Sequence, residues 1–190
     1  LDGFSEVLDL LEQRSGLQGA VFISAEEGSF VAGADLDMLA SFDTPADVRG
    51  VSQQAHRMLW RMQELALPTV AAIEGPCMGG GLELTLGCDY RIASTHDATK
   101  LALPEVNLGL LPGGGGTQYL PRLVGLQQAF TMMLTGKNTY PGKARKIGLV
   151  DALIHPPGLH GAAKRAARQI ADGDLSLDRD PRSLPEQLLE

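Results

Sequence analysis

Two glutamates of this 190-residue chain lie inside apolar stretches, where an acidic side chain is unusual. Glu83 stands between Leu82 and Leu84, two residues after a run of glycines, and Glu105 stands in the segment LALPEVNLGLLP. A buried carboxyl group costs free energy unless it has a partner or a task. Two carboxyl groups that face one substrate can remove a proton at one position and deliver it at another. The alternative is that Glu83 only caps its helix and that Glu105 lies in solvent.

Three glycine-rich loops, each of which follows a predicted strand along the chain, could complete such a site. They lie around Gly33, at Gly79–Gly81 within a loop predicted over Gly75–Gly81, and at Gly113–Gly116. A backbone N–H group at a helix start can stabilise a developing negative charge, and two such groups from separate loops would form an oxyanion hole. Tight turns and close packing would explain the same glycines equally well.

Other common chemistries have no support in the sequence. The chain has no GxGxxG or GxxxxGK[ST] for nucleotide phosphates and no GxSxG for a serine hydrolase. Its four histidines and two cysteines lack the spacing of a metal site, so no metal is expected. A net charge of −7 argues against a nucleic-acid surface, and no apolar run is long enough to span a membrane.

The elements that must position these residues alternate between strands and helices. Short apolar runs bounded by turns predict strands at Ala20–Ser24, Thr69–Glu74, Asp89–Ser94 and Leu149–Ile154. Apolar residues at helical spacing predict helices at 4–11, from Thr44-Pro45 towards Pro68, and at Gly161–Ala171. This alternation predicts an α/β fold with largely parallel strands. We expect residues 1–171 to form the core and the polar segment 172–190 to be a linker-like tail.

Four segments, taken in chain order, resemble successive motifs of the crotonase (enoyl-CoA hydratase/isomerase) family. They are VAGAD (Val31–Asp35), EGPCMGGGLELTLGCDYRIAS (Glu74–Ser94), LPEVNLGLLPGGGGTQYLPRLVG (Leu103–Gly125) and GLVDALI (Gly148–Ile154). The chain looks most like the hydratase/isomerase domain of multifunctional fatty-acid oxidation complex alpha subunits. The resemblance implies the crotonase fold, an α/β superhelix of repeated ββα turns.

The resemblance also implies roles for individual residues. Glu83 and Glu105 correspond to the two catalytic acids of the hydratases. The remaining positions correspond to backbone contacts with the substrate, namely the oxyanion-hole amides of Ala34 and Gly80 and the coenzyme-A-binding stretch at Ala32 and Gly33.

The implied function is hydration of trans-2-enoyl-CoA to 3-hydroxyacyl-CoA in fatty-acid β-oxidation, with Δ3-Δ2-enoyl-CoA isomerisation as a second activity. No cofactor is expected in this domain, because coenzyme A is part of the substrate, and NAD would bind only if a dehydrogenase domain follows. The expected partners are the acyl-CoA thioester and other subunits, in a trimer-type homo-oligomer or a complex with a thiolase subunit. Neither nucleic acid nor a membrane span is expected. The expected location is the bacterial cytoplasm or the mitochondrial matrix of a eukaryote.

The sequence departs from the family pattern at both ends. Two strands before the first helix and further helices after the last one have no counterpart here, so we expect a fragment of a multifunctional protein. Alternatives within the family are an isomerase, a dehalogenase or a decarboxylase, but the presence of both Glu83 and Glu105 favours a hydratase. A non-catalytic crotonase-like binding protein is a further alternative, against which the intact motifs and the negative charge count. A serine peptidase on a related core lacks a candidate nucleophile.

Overall fold

The computed structural model describes residues 2–177, apart from the side chains of Asp2 and Leu36, and in it strands and helices alternate along the chain. The helices are α1 (Asp2–Gln13), α2 (Leu36–Ala40), α3 (Pro45–Gln63), α4 (Gly80–Leu86), α5 (Gly116–Val124), α6 (Leu126–Thr135), α7 (Pro141–Lys146) and α8 (Leu159–Ala171). The strands are β1 (Ala20–Ile23), β2 (Thr69–Ile73), β3 (Pro76–Met78), β4 (Tyr90–Ser94), β5 (Lys100–Ala102) and β6 (Ala152–Ile154). Short 3₁₀ turns lie at Glu105–Leu108 and Pro156–Gly158. The predicted α/β class is confirmed.

A parallel four-stranded sheet with the strand order β1-β2-β4-β6 forms the centre of the protein. Its register places Ala20 opposite Thr69 and Val70 opposite Tyr90. Because all the pairings are parallel, the carboxyl ends of the four strands meet at one edge, where loops of α/β proteins commonly build a site. The predicted parallel pairing is confirmed, and each of the four predicted strands contains an observed one.

A second sheet pairs β3 with β5 in parallel, with Cys77 opposite Leu101. The prediction of one continuous loop over Gly75–Gly81 is therefore wrong in its first half. A three-residue strand is too short to show the alternation of apolar and polar residues by which strands are predicted. Leu101 also exchanges two backbone hydrogen bonds with Thr139, of 2.9 and 2.8 Å. This small sheet fixes the chain directly before α4.

Helices cover both faces of the central sheet, which explains why all five residues of β2 are buried. The strand residues that pack with side chains of α1, α3, α4 and α5 are Ala71, Ile73 and Ala93. Those that pack against the alanines of α8 are Val70, Ala72 and Ile92. The helix that carries Glu83 therefore lies in the larger of the two apolar clusters, between its neighbours and the sheet.

Helix α3 begins at the predicted Thr44-Pro45 pair. The Asp47 N–H donates to the Thr44 hydroxyl, and the Asp47 carboxylate accepts from the Thr44 N–H at 2.8 Å, which together form a capping box. Two turns further on, the Ser52 hydroxyl donates to the Gly113 carbonyl at 2.5 Å. The cap and this bond hold α3 over the second glycine cluster.

At the other end, α8 stops at Ala171. The division of the chain into a core at 1–171 and a linker-like tail at 172–190 stays a prediction, because residues from 178 onwards lie outside the described part. In the described part, no helix is both long and apolar enough to cross a membrane. Nor do three histidine, cysteine or acidic side chains approach one another closely enough there to hold a metal ion.

Candidate active site

Glu83 is carried by the short helix α4, which follows a glycine with a left-handed backbone. Gly79 has a φ of 53°, a region that residues with side chains rarely adopt, and its N–H donates to the Ala102 carbonyl at 3.0 Å. The Glu83 N–H donates in turn to the Gly79 carbonyl at 3.0 Å. This arrangement turns the Glu83 side chain into the protein, where only 4% of the residue stays exposed.

The second glycine cluster supplies hydrogen bonds to the Glu83 carboxyl group. Its Oε1 accepts the N–H groups of Gly114 and Gly116, both at 2.8 Å. Burial raises the pKa of Glu83, and this rise is opposed by the amides of Gly116 and Gly114 and by the charge of His56 on α3. The two amides favour the ionised carboxylate and fix its orientation.

The role of Gly114 and Gly116 was missed by the sequence analysis. The glycine cluster was expected to offer N–H groups to a negative charge, but not to a side chain of the protein itself. The missed signal is the start of α5, where the N-cap residue is Gly115, which has no side chain that could cap the helix. An uncapped helix start leaves N–H groups that require an acceptor.

Glu105 begins the 3₁₀ turn at Glu105–Leu108, directly after β5 and Pro104. Its Oε2 is buried and has no hydrogen-bond partner among residues 2–177. Burial raises the pKa of Glu105 to about 7, and the negative charge of Glu83 adds to the rise. Glu105 can therefore gain or lose a proton near neutral pH.

The two carboxyl groups approach the same region at the start of α4. A Cβ atom placed on Gly79, the residue before α4, would lie 3.2 Å from Oε1 of Glu105. The charge of Glu83 reaches Glu105 strongly enough to affect its pKa. Glu83 accepts hydrogen bonds from two backbone amides, whereas Oε2 of Glu105 has no hydrogen-bond partner in the described range. Such a pair can act as base and acid towards one bound molecule.

The loop that contains Ala34 runs beside the start of α4. The Val31 carbonyl accepts the Met78 N–H at 2.9 Å, and the Cα of Gly33 is 3.6 Å from a Cβ placed on Gly79. The amides of Ala34 and Gly80 donate no hydrogen bond to another residue in the described range. The structure thus brings the two loops together with both of these amides available, while their joint role as an oxyanion hole stays a prediction.

Exposed apolar surface lies next to the acids. Leu108, Leu110 and Leu111 follow Glu105 and are 54, 41 and 70% exposed. The predicted coenzyme-A-binding residue Ala32 is also exposed, whereas Gly33 is half-buried. An apolar chain could lie along these leucines, but the binding roles of Ala32 and Gly33 stay predictions.

Two cavities in the described part of the chain do not contain the paired acids. One, of about 360 Å³, lies between α4 and α5, with Cys88 and Tyr119 in its wall. The other, of about 180 Å³, is lined by residues that include Glu74 and His160. The second cavity also has a buried oxygen without a hydrogen-bond partner in the described range, Oε2 of Glu74. Glu83 and Glu105 are the stronger candidate site, because they are two buried carboxyl groups close to each other and the pKa of Glu105 lies near neutrality.

The contact between α4 and the Ala34 loop gives a first testable expectation. A Cβ atom on Gly81 would lie 2.1 Å from the Val31 carbonyl oxygen, and backbone atoms there cannot simply turn away. Gly81→Ala should therefore lower the free energy of unfolding by about 1–3 kcal/mol or more. Gly50→Ala is the control, since its Cβ would meet nothing within 4 Å inside α3. Chemical denaturation measures both, and equal stability of the two variants would contradict the proposed tight packing.

The sequence is similar to a known protein family and to individual proteins of known name. The model of the family described as enoyl-CoA hydratase/isomerase matches residues 1–178. The chain is 46% identical over 186 residues to the fatty acid oxidation complex subunit alpha of Shewanella sp. (strain ANA-3). The matched region covers 98% of this chain and 26% of that protein. It is 43% identical over 184 residues to the subunit of the same name from Aliivibrio fischeri. That match covers 93% of this chain and 27% of the relative. The chain thus spans about a quarter of the length of these relatives.

Solved structures with similar folds give the same result. An enoyl-CoA hydratase from Bacillus anthracis superimposes with a TM-score of 0.82 at 33% identity, over 90% of this chain and 65% of that one. A Pseudomonas aeruginosa protein named DspI superimposes with a TM-score of 0.83 at 34% identity, over 96% of this chain and 66% of that one. The predicted crotonase fold is confirmed by these superpositions.

Proposed function

The chain belongs to the enoyl-CoA hydratase/isomerase family, and from that premise we propose that it adds water to trans-2-enoyl-CoA to give 3-hydroxyacyl-CoA. The observation that carries the proposal is the pair Glu83 and Glu105, two acids in different environments beside one helix start. Hydration needs a proton taken from water and a proton given to C2, so it needs two such groups in fixed positions.

The proposed first step makes a negative charge at the thioester oxygen. Water adds to C3 of the enoyl chain while the electrons of the double bond move to the thioester carbonyl and form an enolate. The N–H groups of Ala34 and Gly80 would stabilise this oxygen, since they point to no protein acceptor in the described range. A preorganised donor typically contributes about 3–4 kcal/mol to such a step.

Proton transfer follows from the environments of the two acids. Glu83, held by two amides, is the better carboxylate and takes the proton from the attacking water. Glu105, with a pKa of about 7, holds a proton that it gives to C2 as the enolate collapses. The result is one water added across the double bond, and the proton that Glu83 has gained must return to Glu105 before the next cycle.

The proposal requires a pH dependence with two limbs. The fraction of Glu105 that holds a proton falls above its pKa of about 7, so kcat/KM should fall as the pH rises beyond that value. Protonation of Glu83 should lower kcat/KM at acid pH. The profile is measured on the full-length protein with a short trans-2-enoyl-CoA. Activity that stays constant from pH 6 to 9 would contradict the assignment of Glu105 as the acid.

Isomerisation of a 3-enoyl-CoA is a second candidate activity of the same site. It moves one proton from C2 to C4 and adds no water, so a single carboxyl group suffices. Glu105 suits this shuttle because its Oε2 has no partner among the described residues and its pKa lies near neutrality.

The wider setting of the reaction is part of the proposal. The relatives named fatty acid oxidation complex subunit alpha support a role in fatty-acid oxidation, within a longer protein of which this chain would form about a quarter. We propose that the pathway is β-oxidation and that the longer protein also has a 3-hydroxyacyl-CoA dehydrogenase domain that uses NAD. The hydratase domain itself would need no cofactor. The complete protein would form a trimer-type homo-oligomer or a complex with a thiolase subunit, in the bacterial cytoplasm or the mitochondrial matrix.

The direct test of the function is an assay of the full-length protein with trans-2-enoyl-CoA thioesters. Hydration removes the conjugation between the double bond and the thioester, so ultraviolet absorbance should fall with time. A protein that binds enoyl-CoA without any change of absorbance would instead be a non-catalytic binding protein.

A further inference from the structure

Arg91 on β4 is a fully buried arginine that the proposed reaction does not use directly. Its Nη1 donates to the carbonyls of Thr85 and Cys88 at 3.1 and 2.7 Å. Its Nε donates to the Leu149 carbonyl at 3.1 Å, and its Nη2 bonds to the Asp151 carboxylate at 3.1 Å. The guanidinium therefore joins the end of α4 to the connection that leads into β6.

The helix that Arg91 touches is too short to hold its own position. Helix α4 has seven residues, and isolated helices below about 12 residues are marginal in water. Its start is anchored by the bond from Gly79 to Ala102 and its end by the bonds from Arg91. A cation at a helix C-terminus also interacts favourably with the partial negative charge there.

We propose that Arg91 is a positioning residue for the paired acids, which acts through the C-terminal end of α4. The proposal rests on the proposed function, because it concerns the placement of Glu83 and of the Gly80 amide. Glu83 lies only two residues before Thr85, between the two anchors of the helix. A displacement of α4 by about 1 Å would stretch the 2.8 Å bonds at Glu83 Oε1 beyond hydrogen-bonding range.

Asp151 makes this anchor specific for arginine. Its carboxylate accepts both the Arg91 side chain and the Arg91 backbone N–H at 2.7 Å, and its own N–H donates to the Arg91 carbonyl at 2.8 Å. Lysine would keep the positive charge, but it has a single side-chain nitrogen. It therefore cannot bond to the end of α4 and to Asp151 at the same time, as the planar guanidinium group does. The substitution Arg91→Lys should therefore preserve the positive charge but lose the hydrogen bonds that join α4 to the segment before β6.

The test compares Arg91→Lys and Arg91→Met with Arg61→Met in the full-length protein. Arg61 is the control because, like Arg91, it forms ion pairs, here with Asp9 and Glu12, but joins α1 to α3 instead of supporting α4. If Arg91→Met does not fold, the conclusion is drawn from Arg91→Lys alone. The first measurement, hydrogen exchange of peptides covering residues 80–88, needs no substrate.

Loss of charged hydrogen bonds at the end of α4 predicts at least about tenfold faster exchange in both Arg91 variants. For hydration, kcat should fall by about 10²-fold in Arg91→Met and less in Arg91→Lys, with KM changed little, as expected for misplaced catalytic groups. Arg61→Met should match the parent protein in both measurements. A residue that supports only overall stability would leave kcat of the folded variants unchanged.

The outcomes separate the two proposals. Exchange at the parent rate in both Arg91 variants would overturn the positioning role, whatever the activity of the parent. Faster exchange with unchanged kcat would overturn it as well, because α4 would then be loosened without consequence for the acids. Faster exchange in a protein whose parent does not hydrate enoyl-CoA would support the anchoring of α4 and would overturn the proposed function.

Discussion

Glu105→Gln should lower kcat for hydration of a trans-2-enoyl-CoA by about 10²–10⁴-fold, the usual contribution of a positioned acid or base. The amide has nearly the shape of the acid, but it cannot deliver a proton to C2. The Oε2 of Glu105 has no partner among residues 2–177, so the substitution breaks no hydrogen bond of that oxygen, and stability should change little. Isomerisation should fall by a similar factor, because Glu105 is the proposed proton carrier in both reactions.

Glu74→Gln is the matched control for this variant. Glu74 also has a buried Oε2 without a hydrogen-bond partner in the described range, but it lies after β2, outside the paired acids. Its substitution should leave kcat close to that of the parent, because Glu74 transfers no proton in the proposed reaction. A loss below tenfold in Glu105→Gln, or an equal loss in Glu74→Gln, would remove Glu105 from the proposed mechanism.

Glu83→Gln should separate the two activities. The amide oxygen of glutamine can still accept the N–H groups of Gly114 and Gly116, so the side chain should keep its place. Hydration loses its base and should fall by about 10²-fold or more, whereas isomerisation needs no water and should fall much less. Both rates are measured on the same preparation, with a 2-enoyl-CoA and a 3-enoyl-CoA as substrates.

Equal losses in the two assays would contradict this division of roles. They would mean that Glu83 orients the substrate in both reactions, or that Glu83 and Glu105 have exchanged roles.

Much of the fold was predictable because it depends on local patterns. The apolar run TVAAI predicts a buried strand whatever surrounds it, and Thr44-Pro45 predicts a helix start through capping that involves only residues up to Asp47. The strands β3 and β5 were not predicted as strands. Each has three residues, and their pairing depends on a contact across 24 positions that no local pattern contains.

The site shows the same division between local and distant information. The burial of Glu83 follows from the leucines beside it, but its hydrogen bonds come from glycines 31 and 33 positions away. The pKa of Glu105 depends on burial and on the charge of Glu83, and both arise only when the chain is folded. Likewise, Arg91 in the segment DYRIAS gives no sign in sequence that its guanidinium reaches Thr85 and Leu149.

The most direct test measures whether an oxygen atom from water is incorporated into the coenzyme A product. Full-length protein is incubated with trans-2-enoyl-CoA in water enriched in heavy oxygen, and the coenzyme A product is identified by mass spectrometry. We expect a 3-hydroxyacyl-CoA with one heavy oxygen at C3, formed by the parent and lost in both Glu83→Gln and Glu105→Gln. Unchanged enoyl-CoA, or heavy oxygen found instead in a free carboxylic acid released from coenzyme A, would contradict hydration by this pair of acids.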